Sequence, residues 1–378
     1  MLEKNMLEAS THKIVNRLRQ SPFAIPHLTD FGLQETGSVP ASEILGNEHI
    51  TLYSLDFDTG IAVFVETPAD LDLSQSPFMF IPQYDEAMRV LTVSFEMLLT
   101  LADEVSVEDN RLVFIHSTGR CGSTLASQIF AQIPGVINLS EPFVLPQLVI
   151  EKNANPAKKK ELKALLKAAV LLLCKTEADA AWVIKEHSYA LELTGWLYEL
   201  FPQAKHLFLY RHAETWMRSC LSAFFGGGEM TADELIEHEL GYRAYKERLI
   251  PPVAALEQGP HRTFAELMSI EWLSYMERHA EFCETGIDML AIRYQDWKAE
   301  PQKTAIAMLE YCNCRPEYLS AVYAALVQDS QAGTMLAQDT VKKPWIVTDQ
   351  QRAMMAQVLH SHPFIKTADY VAVNSLRV

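Results

Sequence analysis

The 378-residue chain has no long apolar run, no dense cysteine set and no surplus of positive charge. The stretch ALLKAAVLLLC is too short to cross a bilayer and is interrupted by Lys167, and the N-terminal MLEKNMLEASTHKIVNRLRQ has no apolar signal core. A cytoplasmic protein is therefore expected. The six cysteines are scattered, and the close pair Cys312 and Cys314 has the spacing of neither a zinc knuckle nor a redox CxxC pair. That points to reduced thiols, and no histidine–cysteine cluster suggests a metal site. Thirty-two Lys and Arg against 48 Asp and Glu give a formal net charge of -16. Such a surface repels nucleic acid and anionic membrane. An anionic ligand would thus need positive charge gathered locally at its site.

Apolar residues make up 49% and charged residues 21%, as in ordinary globular proteins. A boundary is expected near Asn110. Residues 1–109 read as a smaller α+β unit. They open with an N-terminal helix carrying Ile14, Val15 and Leu18. ITLYSLDF and IAVFVET then flank Asp58-Thr59-Gly60 as a β-hairpin. A helix from Asp85 to about Val105 is expected to bury Met88, Leu91, Val93, Leu98 and Leu99. Three roles fit this unit: covering the core, binding an acceptor, or dimerising.

From residue 110 to 378 the pattern changes. LVFI, AWVIKEH, HLFLYR and DMLAIRY are short apolar runs separated by helical segments. Strands alternating with helices imply an α/β three-layer fold around a central parallel sheet. Ligands of such sheets sit at the carboxyl ends of the strands.

LVFIHSTGRCGSTLASQIF reads as a strand, the turn Gly119-Arg120-Cys121-Gly122-Ser123-Thr124, and a helix. Glycines turn backbone N–H groups inward, and the helix start leaves donors unpaired, which makes an anion cradle. Arg120 adds a forked cation. The lysine of the GxxxxGK[ST] nucleotide loop is missing, with Ser123 in its place. In HLFLYRHAETWMRSCLSAF the strand ends at Arg211, where a nucleotide triphosphatase would carry an Asp for Mg²⁺, and Ser219 follows eight residues later.

These two segments resemble the PAPS-dependent sulfotransferases (PAPS is 3′-phosphoadenosine 5′-phosphosulfate), in the bacterial and tyrosylprotein branch with an RSGST-like loop. The resemblance covers about residues 110–350. It implies a P-loop fold in which Gly119, Arg120, Cys121, Gly122, Ser123 and Thr124 hold the 5′-phosphosulfate. Arg211 and Ser219 would hold the 3′-phosphate. Cys121 stands where the family has serine. Glu141, in NLSEPFVL, resembles the family's catalytic glutamate in placement. Lys185 and His187 resemble the Lys-x-His stretch of the cytosolic branch, with His187 the second candidate base and Lys185 a stabiliser of the bridging oxygen. Arg293, Tyr294 and Asp296 match a scaffold segment. Lys342, Lys343 and Trp345 lie in a late segment resembling one that closes over the nucleotide.

The resemblance implies PAPS as sulfuryl donor and no metal. The acceptor would carry a hydroxyl or amine on a small molecule, peptide or sugar. Two other readings stand beside it: a P-loop kinase or hydrolase, and a non-catalytic nucleotide-binding regulator. Lys158, Lys159, Lys160, Lys163 and Lys167 read as a solvated helix face, and Gly226-Gly227-Gly228 as a mobile loop.

Overall fold

The computed structural model describes residues 7–175, 180–226, 230–257, 260–314, 319–337 and 344–377. By internal contacts the chain divides into two compact units. The first comprises Met1–Leu112, Gly135–Ile184 and Trp196–Ala204. The second comprises Val113–Pro134, Lys185–Gly195 and Lys205–Val378.

Five strands form an antiparallel sheet near the N-terminus: β1 (Glu8–Arg17), β2 (Phe31–Pro40), β3 (Ile50–Asp56), β4 (Ile61–Glu66) and β5 (Arg89–Ser94). Their order is β2-β1-β5-β4-β3. The expected hairpin is present, with β3 antiparallel to β4 and Asp56 facing Ile61. The expected N-terminal helix is not. That segment is β1, paired with both β2 and β5. Thr11, Ile14 and Val15 are β-branched and favour extended backbone. Val15 is 64% and Leu18 54% exposed, so the residues assigned to an apolar helix face do not share one.

The expected helix over 85–105 is likewise shorter. RVLTVS forms β5 in the sheet interior, and only Phe95–Ala102 is helical, capped by Ser94 accepting from the Met97 amide. A buried cluster of Phe31, Tyr53, Val63, Val65, Ala87 and Val90 fills one face of this sheet. Arg89, the first residue of β5, bridges Glu43 and Glu66.

The second sheet contains β6 (Leu112–Ser117), β7 (Val136–Ser140), β8 (Ala181–Lys185), β9 (Lys205–Tyr210) and β10 (Met289–Arg293) in the order β10-β9-β6-β8-β7. β6 pairs with β9, and β9 with β10, in parallel. Four of these strands are the apolar runs anticipated from sequence. β7 was not anticipated. β6 is buried at every residue, as a strand covered on both faces must be. The fold is thus mixed α/β, with a parallel sheet and a separate antiparallel one.

Among the described residues no helix is long and apolar enough to cross a membrane. Within the expected basic face, Lys158 pairs with Glu151 at 3.4 Å, and Lys163 pairs with Glu199. Of the glycine triplet, Gly226 is described, with φ +71°; Gly227 and Gly228 lie outside the described residues.

Candidate active site

β6 delivers the chain to the phosphate loop. Its last residue, Ser117, accepts from the Gly119 amide at 3.1 Å. The next amide, Thr118, continues toward β9, donating to the Leu209 carbonyl at 3.0 Å. Positive φ angles at Gly119 (73°), Arg120 (49°) and Gly122 (88°) then wind the backbone into a tight bowl. Gly122 is the N-cap of the Ser123–Phe130 helix. A Cβ at Gly122 would lie 3.3 Å from a ring carbon of Tyr294, on backbone that side chains rarely adopt. Glycine is required there on both counts.

Arg120 takes the left-handed conformation without a glycine's freedom, a strain of roughly 1–2 kcal/mol per such residue. Cys121 is fully buried. Its Sγ contacts the Leu209 carbonyl at 3.2 Å, and burial pushes the thiol's pKa up. A neutral thiol thus pins the loop to β9.

Because β9 runs beside β6, its end brings Arg211 to the same place. Arg211 Nη1 donates to the Arg120 carbonyl at 3.2 Å, and its Nε donates to Thr215 Oγ1 at 3.1 Å. The guanidinium lies 4.5 Å from the Tyr294 ring centroid. Trp272 Nε1 fixes the Arg211 carbonyl at 2.9 Å. Ser219 sits on the Ala213–Phe224 helix, where its Oγ accepts from Arg120 Nε at 3.4 Å. Arg120 Nη1 also donates to Gln331 Oε1 at 2.8 Å.

These groups line one cavity of about 470 Å³, within the size of an ordinary small-ligand pocket. Arg120, Gly122, Ser123, Thr124, Arg211 and Ser219 are all in its wall. Two cations that sequence reasoning missed join them: Arg218 and Lys298. Arg218 had a signal, since it immediately precedes Ser219 and so shares its turn. Lys298 had none beyond its place after the Arg293–Asp296 segment. Tyr294, read from sequence as scaffold, lies in the same wall. Among the described residues none of the four cations has a carboxylate partner within ion-pair distance. Desolvation lowers the pKa of Arg211, yet a guanidinium stays charged in any such site. Asp329 also lines the cavity, so four cations face one carboxylate there, a local excess of positive charge on a chain of net charge -16.

The candidate catalytic residues are placed less closely. Lys185 ends β8, His187 caps the short 3-10 helix Ser188–Leu193 that follows, and the two are 2% and 8% exposed. The Lys185 charge acts on Cys121, and the His187 ring stacks on Tyr189 at 5.4 Å. The next residue, Ser188, lies against Gly119: a Cβ built there would be 3.6 Å from the Ser188 side chain. Neither Lys185 nor His187 is in the cavity wall. Glu141 belongs to the first unit and has left-handed backbone, φ 59°. Trp345 donates its amide to Ser222 Oγ at 2.8 Å, and Ser222 lines the cavity. Lys342 and Lys343 lie outside the described residues.

Beneath the loop runs a chain of buried titratable groups. His116 Nδ1 is 2.7 Å from Glu186 Oε2, and His116 Nε2 is 2.9 Å from His206 Nδ1. Burial pushes His116 down to about 3, lowers His206 and raises Glu186. The neutral forms of all three groups are the ones burial favours.

No family model and no curated protein matches the chain. Its fold is similar to that of several solved structures. Sulfotransferase STF9 from Mycobacterium avium is 13% identical, with a TM-score of 0.42 over 71% of this chain and 80% of that one. Sulfotransferase STF1 from Mycobacterium tuberculosis H37Rv is 13% identical, with a TM-score of 0.36 over 64% and 78%. A sulfotransferase from Alicyclobacillus acidocaldarius is 12% identical, with a TM-score of 0.37 over 66% and 94%.

Proposed function

We propose that the protein is a sulfotransferase that moves a sulfuryl group from PAPS to an acceptor hydroxyl or amine. The observation that carries the reading is the cavity in which Arg120, Arg211, Arg218 and Lys298 converge beside the phosphate loop. A nucleoside with phosphate at both its 5′ and 3′ positions is the ligand chemistry that uses positive charge on two walls. Arg120 and the N–H groups of the Ser123–Phe130 helix bind the 5′ group, where the helix start favours an anion. Arg211, with its forked donors, and Ser219 bind the 3′-phosphate. The Arg211 guanidinium lies over the Tyr294 ring, which holds it in place.

In the proposed reaction the acceptor's oxygen or nitrogen forms a bond to sulfur. The bond between sulfur and the bridging oxygen breaks, and its electron pair leaves on the 5′-phosphate. Arg120, the loop amides and Lys185 stabilise that charge. Either Glu141, the favoured base, or His187 takes the acceptor's proton. Positioning and electrostatics supply most of the acceleration, as in phosphoryl transfer. No metal enters these steps.

The test is transfer of label from [³⁵S]PAPS to a panel of phenols, alcohols, sugars and amines by the purified chain. Labelled product that disappears in R120A and R211A supports the reading. If E141Q keeps full turnover and H187A loses it, the base is His187; the opposite result selects Glu141. A chain that transfers phosphate from ATP with Mg²⁺, and no label from PAPS, is a kinase.

A further inference from the structure

Gln331 lines the cavity with its side chain on the phosphate-loop arginine, and the reaction above gives it no part. Its Oε1 accepts from Arg120 Nη1 at 2.8 Å, across 211 residues of sequence. The turn that carries Gln331 fixes its backbone. The Gln331 amide donates to Asp329 Oδ1 at 3.0 Å, and its carbonyl accepts from Thr334 Oγ1 at 2.8 Å and from the Thr334 amide at 3.1 Å. Thr334 Oγ1 in turn accepts from the amide of Leu336, which is 5% exposed. A group placed in advance in this way loses little freedom when it binds. Elsewhere the chain gives its arginines carboxylates: Arg262 has Glu266, Arg278 has Glu192 and Arg352 has Glu214. A carboxamide on Arg120 fixes the guanidinium and leaves its charge intact.

Counting donors fixes which way the carboxamide faces. A guanidinium carries donors only, so Gln331 must turn its oxygen toward Arg120 and its NH₂ group away. The two Nε2 protons have no partner among the described residues. Donation from a cation into Oε1 polarises the amide and strengthens its N–H groups as donors. Nε2 thus adds two neutral donors beside Arg120, in a wall where four cations face one carboxylate. An anionic oxygen taken by Arg120 can accept from both groups. Glutamate in this place would reverse both properties, since a carboxylate would neutralise Arg120 and offer acceptors only.

We propose that Gln331 is a binding residue for the anionic group that Arg120 holds: Oε1 fixes the guanidinium, and Nε2 donates to an oxygen of the ligand's 5′ group. This inference rests on the proposed function for the identity of that ligand and adds a residue to it. Gln331 makes and breaks no covalent bond and moves no proton, so the balance of the transfer step is unchanged.

The experiment uses the full chain as wild type, Q331A, Q331M, Q331E, R120A and R120A/Q331A. Q331M keeps the length of the side chain and removes only the amide. Calorimetry measures affinity for 3′-phosphoadenosine 5′-phosphate and for adenosine 3′-phosphate, which lacks the 5′ group. Q331A and Q331M are expected to weaken the bisphosphate about 10-fold, the low end for one hydrogen bond to a charged group. Adenosine 3′-phosphate is expected to stay within about twofold of its wild-type affinity. Q331E is expected to weaken the bisphosphate about 100-fold or more, because it also cancels the charge of Arg120. In the R120A background, Q331A is expected to cost about twofold or less, since the amide has lost the cation that orients it. Wild-type or tighter binding by Q331M, an equal loss for adenosine 3′-phosphate, an additive loss in the double variant, or Q331E binding as well as Q331A overturns the inference. A wild-type chain that binds ADP and not the bisphosphate sinks the sulfotransferase reading alone. The same order of losses against ADP then upholds Gln331, and any other order overturns it. A chain that binds neither nucleotide sinks both.

Discussion

Arg89 in the antiparallel sheet and Arg211 at the end of β9 are both held in place, but by opposite means. Arg89 is clamped between Glu66 and Glu43, and these partners raise its pKa. Its charge is spent inside the fold. Arg211 is oriented by a hydroxyl, a backbone carbonyl and the face of Tyr294. None of these cancels its charge. The same contrast separates Arg19, which stacks on Phe80, Tyr84 and Phe143 and approaches Asp30 at 3.9 Å, from Arg120, whose side-chain partners are Ser219 and Gln331. A cation fixed by neutral groups keeps its field for something else. Arg120 and Arg211 are held in that state in the wall of one cavity.

The sharpest way to break this comparison is R211A, read beside R89A. R211A is expected to lower affinity for 3′-phosphoadenosine 5′-phosphate about 100-fold or more, the scale of losing one partner from a desolvated charge pair, with little change in melting temperature. Calorimetric titration of the purified variant checks it. R89A should do the reverse. It leaves Glu43 and Glu66 without their shared cation, at a cost of about 1–3 kcal/mol for a partly buried pair, and nucleotide binding stays as in wild type. Chemical denaturation measures that loss. If R89A weakens nucleotide binding or R211A unfolds the chain, the division between spent and unspent charge is wrong.

The buried imidazoles sharpen the same point from the neutral side. His279 stacks on Phe208 at 4.4 Å, and burial pushes it down to about 4 from an ordinary 6.5. A lowered folded pKa means the group's contribution is present above 6.5 and is lost as pH falls toward 4. By pH 5 the loss is on the order of 2 kcal/mol. Glu186 runs oppositely, since its raised pKa favours the folded state as pH falls, and it offsets His116. Thermal melts at pH 7 and pH 5 are expected to show a drop that shrinks in H279F. The smallest effect is assigned to Arg218 and Lys298, both exposed at the cavity mouth. R218A and K298A should each weaken nucleotide binding about 3- to 10-fold, and the loss should fade at high salt, where exposed charges are screened.

Much of the second unit was legible because continuous apolar strands leave a plain trace. LVFI, HLFLY and MLAIR could be little else once helical segments separate them. β1 was not legible, because its pairing with β2 and β5 outweighs a weak helical spacing whose apolar members, Val15 and Leu18, face solvent. β5 was hidden by the helix that follows it directly. β7, VINLS, is short and half polar. At the site, Arg120 and Arg211 could be read because each occupies a strand end, where local sequence dictates position. Lys298 could not, since its approach depends on how the Tyr294–Ala299 helix packs, with Tyr294 against Gly122. The contact of Gln331 with Arg120 likewise joins segments 211 residues apart.

One titration tests the central claim most directly: calorimetry of the wild-type chain with 3′-phosphoadenosine 5′-phosphate and, separately, with ADP and Mg²⁺. Both ligands carry two phosphates on one adenosine, and only the first puts them at opposite ends of the ribose. The account predicts that the 3′,5′-bisphosphate binds at least about 100-fold more tightly, a difference of about 2.7 kcal/mol. Equal affinity, or a preference for ADP, would contradict it.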